Sequence, residues 1–273
     1  MDSRNMSVSF QNIEYPGLHL VCMGNRRIKS AERLFSIIEA FREYGRLGVT
    51  ELSDILNISK ANAHHYVSTL RDYDYVVKKN DKYELGLEFF AVAVDTREQS
   101  PVYRVAKEDL ARLADETGET AWCMVEQNGM GMFIDGYIAG RSIDRESIIG
   151  TWKPLHANSA GKAILANLPA DRRNTIIDRS ELEPLTENTI TERNKLRQEL
   201  KEIQERGFST NFGEDLSGIH AVGTPIFDQN SEVAAGISVA GSATRLTKEY
   251  CKNELAPLVR SVADDIEFNL AYR

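Results

Sequence analysis

Three features of the 273-residue sequence predict an α+β fold, with an N-terminal winged helix-turn-helix, a linker helix and a larger domain built on a mainly antiparallel sheet. Residues 30–85 hold three short helical patterns followed by a hairpin pattern. Beyond residue 100, strand-type runs come in pairs around the turn signals Asn128-Gly129 and Asp228-Gln229-Asn230. Segments of helical period separate those pairs, where a parallel sheet would need them between single strands.

Residues 1–24 mix Ser, Asn, Gln and isolated apolar residues without a period and read as a tail. From there Leu34, Ile37, Ile38 and Phe41 recur on one helix face, with Ser30 as the expected N-cap and Gly45 as the stop. Thr50 is the expected cap of a second helix carrying Leu52, Ile55 and Leu56. Its first turn holds Glu51 and Asp54, where the helix dipole favours carboxylates. Asn57 and Ile58 separate it from a third helix capped by Ser59. That helix turns Ala63, Tyr66, Val67 and Leu70 inward and Lys60, Asn62, His64, His65, Ser68 and Arg71 outward. Val76-Val77 and Tyr83 with Leu85 flank a polar turn rich in lysine, completing a winged helix-turn-helix over residues 25–85.

Residues 86–100 return to helical spacing through Leu87, Phe90, Ala91 and Val94 and break at Ser100-Pro101, which marks the expected linker helix. The domain from 101 to 273 opens with a helix carrying Val102, Ala106, Leu110, Leu113 and Ala114 and ending near Gly118. Strands are expected at Trp122–Glu126 and Met130–Ile138, then helices near residues 158–168, 171–178 and 191–206. A second hairpin pairs residues 219–227 with 233–240, and a last helix carries Leu255, Leu258, Val259, Val262 and Ile266.

A hydrophobic content of 42% and a charged content of 27% exclude a disordered or fibrous chain. Cys22, Cys123 and Cys251 are too far apart for a zinc ribbon or redox pair and fit a reducing compartment. With no run approaching the roughly 18–20 apolar residues of a membrane span, and no apolar core of a signal peptide, a cytoplasmic protein is expected. The net charge of −8 argues against coating nucleic acid by bulk charge. Its distribution reverses that inference, because residues 25–85 carry +2 and residues 86–273 carry −9. Phosphate contact needs cations grouped on one face, which is a local property.

A helix, a very short turn and a second helix with a polar outer face form an arrangement that places the second helix in a DNA major groove, with the hairpin as a wing on the backbone. The expected DNA-binding residues are Arg27, Ser59, Lys60, Asn62, His64, His65, Ser68, Lys78, Lys79 and Lys82. The wing lysines position the protein and the helix specifies sequence. The alternative is a plain three-helix unit used for protein contacts.

Chemical motifs are missing from the second domain. Gly161-Lys162 lacks the earlier glycine of a phosphate loop, where His156 stands, and Ala163 replaces the residue that would hold magnesium. Gly129-Met130-Gly131 is followed by Ile134 at the third glycine position of a dinucleotide loop. His156, His220, Cys123 and Cys251 have no metal-site spacing, and no Ser or Cys carries the signature of an activated nucleophile. No catalytic residue, metal or cofactor is expected. An enzyme acting on a small molecule, its helical module serving oligomerisation, is the alternative. Asn158 to Gly161 are small residues at a helix start, where free N–H groups and the positive dipole end suit a carboxylate.

The run Ser30-Ala31-Glu32-Arg33-Leu34, the segment Thr50–Leu70 and Tyr83-Glu84-Leu85-Gly86 resemble the winged helix-turn-helix of IclR-type transcriptional regulators. Lys153-Pro154-Leu155-His156-Ala157 with Gly161-Lys162-Ala163 is similar to a block of the same family. So are Gly207, Glu214, Ala221-Val222-Gly223, Pro225, Ile226-Phe227-Asp228 and Ile237-Ser238-Val239, in the family's order. The resemblance spans residues 28–270 and implies a ligand-responsive regulator that binds a double-stranded DNA operator as a homodimer or dimer of dimers, with a GAF-like effector domain. Carried over by position, the effector residues are Leu155, Ser159, Ala160, Asn211, Ile219, Ala221 and Ser238, with Ala240 next on its strand. Asn211 stands where relatives that bind small acids have an acidic residue, Ala221 where they have cysteine and Ala240 where they have serine. Those changes imply a less polar or larger ligand.

Overall fold

The computed structural model describes residues 28–139 and 148–272, so Arg27 and the expected tail lie outside the described residues. These divide into two compact units, 28–99 and 100–272.

The first unit comprises α1 (Lys29–Tyr44), α2 (Val49–Ile55), α3 (Lys60–Asp72), the hairpin β1 (Val76–Lys79) and β2 (Lys82–Leu85), and α4 (Glu88–Glu98). Its core gathers Ile37, Ala40, Phe41, Leu52, Ala63, Val67, Leu70 and Val76. Ala63, Val67 and Leu70 are buried as their spacing predicts, and Tyr66 is half-buried. Two expected caps are corrected. Ile28, without a side-chain cap, precedes α1, and Ser30 lies inside the helix. Gly48 precedes α2, and its N–H donates to Glu51 Oε2 at 2.6 Å, so an acidic side chain three residues on replaces the Thr50 hydroxyl. The Ser59 cap forms, its Oγ accepting from the Asn62 N–H at 3.2 Å. Between α2 and α3, Asn57 takes a left-handed conformation (φ 49°), which its short amide side chain tolerates. The 86–100 segment contains α4, which buries none of its residues. Phe90 is 68% exposed, and Leu87, just before the helix, is 84% exposed.

The second unit runs α5 (Pro101–Thr117), β3 (Thr120–Gln127), β4 (Met130–Ile138), β5 (Trp152–Pro154), a 3-10 turn (Leu155–Ala157), α6 (Ser159–Asn167), α7 (Ala170–Arg179), α8 (Arg193–Arg206), β6 (Ser209–Phe212), β7 (Ile219–Phe227), β8 (Val233–Ser242), α9 (Lys248–Tyr250), a π turn (Cys251–Leu255) and α10 (Ala256–Tyr272). Six strands form one sheet in the order β5-β4-β3-β8-β7-β6, every neighbour antiparallel. One face packs against α5 and α10 through Ala121, Cys123, Val222, Ile237 and Val239. The opposite face carries Trp122, Met124 and Phe133 against α6, α7 and α8, which contribute Ile164, Ile177, Leu196 and Leu200. Sequence patterning passes over β5 and β6. Ser209, Thr210 and Asn211 of β6 are polar yet buried, so the strand has no apolar alternation to read.

Candidate nucleic-acid interface and ligand site

On α3 the outward residues lie where the periodicity places them. Ser59, Lys60, Asn62, His64 and His65 are exposed and Ser68 is half-buried. His64 Nδ1 sits 3.5 Å from Ser68 Oγ, and the two imidazole rings meet edge to face at 6.4 Å. In the wing, Lys78 lies over the Tyr83 ring at 5.9 Å. Lys79 is ion-paired with Glu84, which also takes Arg46, and Lys82 Nζ is 2.8 Å from Glu51 Oε1. Sequence patterning singled out neither Arg46 nor Glu84 as part of this surface, because the contacts that join them are long-range.

In the second unit the strand register brings five of the expected effector residues, Asn211, Ile219, Ala221, Ser238 and Ala240, onto one sheet face. Asn211, Ala221 and Ala240 stand in one row across β6, β7 and β8, and the row continues to Thr120 on β3. The adjoining row is Ser209, Gly223, Ser238 and Trp122, and Ile219 lies beyond Ala221. Side chains of directly opposed residues share a face, and the Asn211 amide fixes which face it is, since its Nδ2 donates to the Ala157 carbonyl just before α6 at 2.8 Å.

The first turn of α6 lies hard on that floor. A Cβ at Gly223 would come within 2.6 Å of the Ser159 carbonyl carbon, and one at Gly236 within 2.7 Å of the Ala160 oxygen. Ser209 Oγ donates to the Ser159 carbonyl at 2.5 Å. The expectation of free N–H groups at this helix start is narrowed, because Asn158 Oδ1 accepts from the Gly161 N–H at 2.7 Å. Ser159 and Ala160, the first two helical residues, have N–H groups outside the helical ladder. Leu155 is buried against the same cluster.

Three residues on or beside this face, Ser159, Ser238 and Thr120, are 2%, 4% and 4% exposed, and their hydroxyls enter no hydrogen bond among the described residues. None of the three oxygens is a fully buried unpaired atom, so each keeps some accessible surface. Asn211, by contrast, is fully engaged, since its Oδ1 accepts from the Glu214 N–H at 2.8 Å. Ala240 and Ile219 are half-buried, so the floor opens toward that edge.

A buried ion pair underlies the site. Lys162, 1% exposed, places Nζ 2.8 and 2.7 Å from the two Glu214 oxygens and 3.6 Å from Glu199 Oε1. Burial raises the Glu214 carboxyl above its usual range, and Lys162 pulls against that shift. Burial lowers His156, whose Nε2 lies 3.2 Å from the Glu183 carbonyl. The Cys123 and Cys251 thiols are pushed up by burial to about 12 and about 11, so neither is a ready thiolate. Among the described residues no cluster of three His, Cys, Asp or Glu side chains is placed to hold a metal ion. No described helix is long and apolar enough to cross a membrane.

Comparison with known proteins agrees with both parts. Residues 95–268 match the model of the bacterial transcriptional regulator IclR C-terminal domain, and residues 30–79 match that of the IclR helix-turn-helix domain. The chain belongs to the IclR family of transcriptional regulators. This IclR-family chain is 32% identical to the probable HTH-type transcriptional regulator ArcR of Halobacterium salinarum over 249 residues, 90% of this chain and 95% of the relative. The crystal structure of the Thermotoga maritima IclR is similar at 30% identity and a TM-score of 0.73, covering 89% of this chain and 98% of that one. An IclR homologue from Microbacterium hydrocarbonoxydans, solved as a complex with 4-hydroxybenzoate, shares the fold at 16% identity and a TM-score of 0.74, covering 88% and 98%. This IclR-family protein is a DNA-binding regulator, and the enzyme alternative finds no support among its relatives.

The buried pair yields a test. Lys162→Met leaves the Glu214 charge buried and unpaired, and the expected loss is about 3–5 kcal/mol at neutral pH. Because the folded-state pKa of Glu214 then lies further above its unfolded value, the penalty shrinks as pH falls and the carboxyl protonates. Denaturant titrations across a pH series measure this, and adding Glu214→Gln in the same chain restores most of the loss.

Proposed function

We propose that this regulator works in the cytoplasm as a homodimer on a two-fold operator and that a small carboxylic acid with a largely apolar body, such as an aromatic acid, is its effector. Support for the effector comes from one observation: the hydroxyls of Ser159, Ser238 and Thr120, uncommitted among the described residues, and the first two N–H groups of α6 lie on or beside one sheet face of small side chains. The carboxylate sits at the Ser159 and Ala160 N–H groups, at the positive end of the helix dipole. Ser159, Ser238 and Thr120 supply donors, while Ala221 and Ala240 leave room for an apolar body without offering it a polar contact. Leu155 and Ile219 flank it, and Asn211 acts through the backbone it holds. The 4-hydroxybenzoate bound by the Microbacterium homologue belongs to this chemical class. A second copy of the chain is the natural cover for the exposed apolar residues of α4, since one recognition helix contacts only a few base pairs and two are needed for a long operator.

On DNA, Lys60 at the start of α3, Lys78, Lys79 and Lys82 in the wing, and Arg27 ahead of α1 contact phosphate. Asn62, His64, His65 and Ser68 face base edges, and Ser59 holds the helix start. Lys60→Ala is expected to weaken binding to every duplex and to flatten the logarithmic salt dependence by about one unit. Asn62→Ala is expected to cost about 1–3 kcal/mol at one base position and relax preference there. Footprints and salt titrations unchanged in both variants would remove α3 from the interface.

Melting temperatures with added acids test the effector reading. At a concentration about 100 times Kd a bound acid adds about 2.7 kcal/mol, so 4-hydroxybenzoate or benzoate is expected to raise the transition of the wild type. Ala240→Leu, at a half-buried position of the floor, keeps the unliganded transition and abolishes the rise. A rise that survives in Ala240→Leu places the ligand elsewhere.

A further inference from the structure

The wing cations are already engaged within the protein. Glu84 of β2 holds Lys79 across the hairpin and Arg46 from the connection between α1 and α2. Leu47 and Tyr83 exchange backbone hydrogen bonds of 3.0 and 2.8 Å, which draws Arg46 alongside Glu84. Lys82 Nζ reaches Glu51 on α2 at 2.8 Å. Both carboxyls are held below the usual carboxylate range, Glu84 by hydrogen bonds from Lys79 and then Arg46, Glu51 by the Gly48 N–H and then Lys82. The cations they hold are exposed, at 58% for Arg46, 55% for Lys79 and 49% for Lys82. Ion pairs of this kind are weak and exchange readily. A phosphate oxygen offers the same charge and acceptor as a carboxylate.

We propose that Glu84 and Glu51 are internal competitors of DNA phosphate, holding the wing cations in the free protein and yielding them to the duplex on binding. The carboxylates then set how strongly the wing grips any duplex and how that grip responds to salt. They lower attachment to random sequence without touching the residues of α3 that face base edges. The proposal rests on the wing meeting DNA, and its test separates that premise from the competition itself.

Binding of the full chain to a mixed-sequence duplex of about 30 base pairs, long enough for two half-sites, is measured by fluorescence anisotropy across a salt series. Glu84→Gln keeps the size and acceptor of the side chain and removes its charge. The expected gain is about 3- to 10-fold in affinity at low salt, shrinking as salt rises, with a salt slope steeper by up to about one unit. Glu51→Gln retains an acceptor for the Gly48 N–H and gives a smaller gain of the same sign. Adding Lys79→Ala to Glu84→Gln removes the gain, because the freed cation is its source. Glu88→Gln removes the same charge where no described cation is held, and leaves affinity near that of the wild type. Unchanged or weaker binding by Glu84→Gln at an unchanged melting temperature overturns the proposal, as does an equal gain from Glu88→Gln. Should Glu84→Gln melt lower than the wild type, Glu51→Gln decides by the same criteria. Wing contact itself fails only if Lys78→Ala and Lys79→Ala both leave the affinity and salt slope of the wild type intact.

Discussion

The close approach of the first turn of α6 to β7 and β8 is the constraint on which the second unit depends. Two glycines, Gly223 and Gly236, permit it, and any side chain at either would drive into the backbone of Ser159 or Ala160. Once the helix start is seated there, Asn158 caps it, Ser209 ties its first carbonyl to β6, and Asn211 ties the preceding turn to the same strand. Ser209 and Asn211 of β6 are therefore buried for a reason: each satisfies a backbone group that the approach would otherwise strand. The same seating places the dipole end of α6 and the Ser159 hydroxyl over a sheet face of small side chains that also carries Ser238 and Thr120. Lys162 and Glu214 complete the arrangement, since a charge so deeply buried is tolerated only with its counter-charge in contact.

The first unit follows a different logic, in which weak surface interactions are arranged around a small core. The core fixes α3, and the backbone exchange between Leu47 and Tyr83 fixes the wing against the helices. What faces outward is polar, exposed and, on the wing, partly neutralised by the protein's own carboxylates. An acidic chain can therefore bind DNA: the +2 of residues 25–85 is local, and part of even that charge is held in reserve.

Much of this was legible in the residues, and what was not has physical reasons. Helices with an apolar stripe, such as α5 through Val102, Ala106, Leu110 and Leu113, announce themselves by period, and the Asn128-Gly129 hairpin by its turn chemistry. Caps were less secure: Ser30 and Thr50 have the right chemistry, yet Ile28 and Gly48 take the positions because tertiary packing sets where the helices enter. The strand β6 was invisible because burial of polar groups leaves no hydrophobic signal. Among the residues carried by family resemblance, Asn211, Ile219, Ala221, Ser238 and Ala240 fall on one sheet face, and Leu155, Ser159 and Ala160 lie in the turn and helix start beside it. Thr120, Lys162 and Glu214 needed the register and the long-range pairing to show their place beside it. Lys162 in particular reads in the sequence as a failed phosphate loop and in the structure as a buried counter-ion.

A regulator of this design works only if the state of the sheet face and the affinity of α3 for DNA are coupled, and such coupling is reciprocal in free energy. The most direct measurement is the Kd of the full chain for operator DNA, recovered by selection from random sequence, with and without saturating aromatic acid. A change of about 5- to 150-fold in either direction is expected, the range of ordinary allosteric coupling. An affinity that stays the same while the acid is demonstrably bound would contradict it.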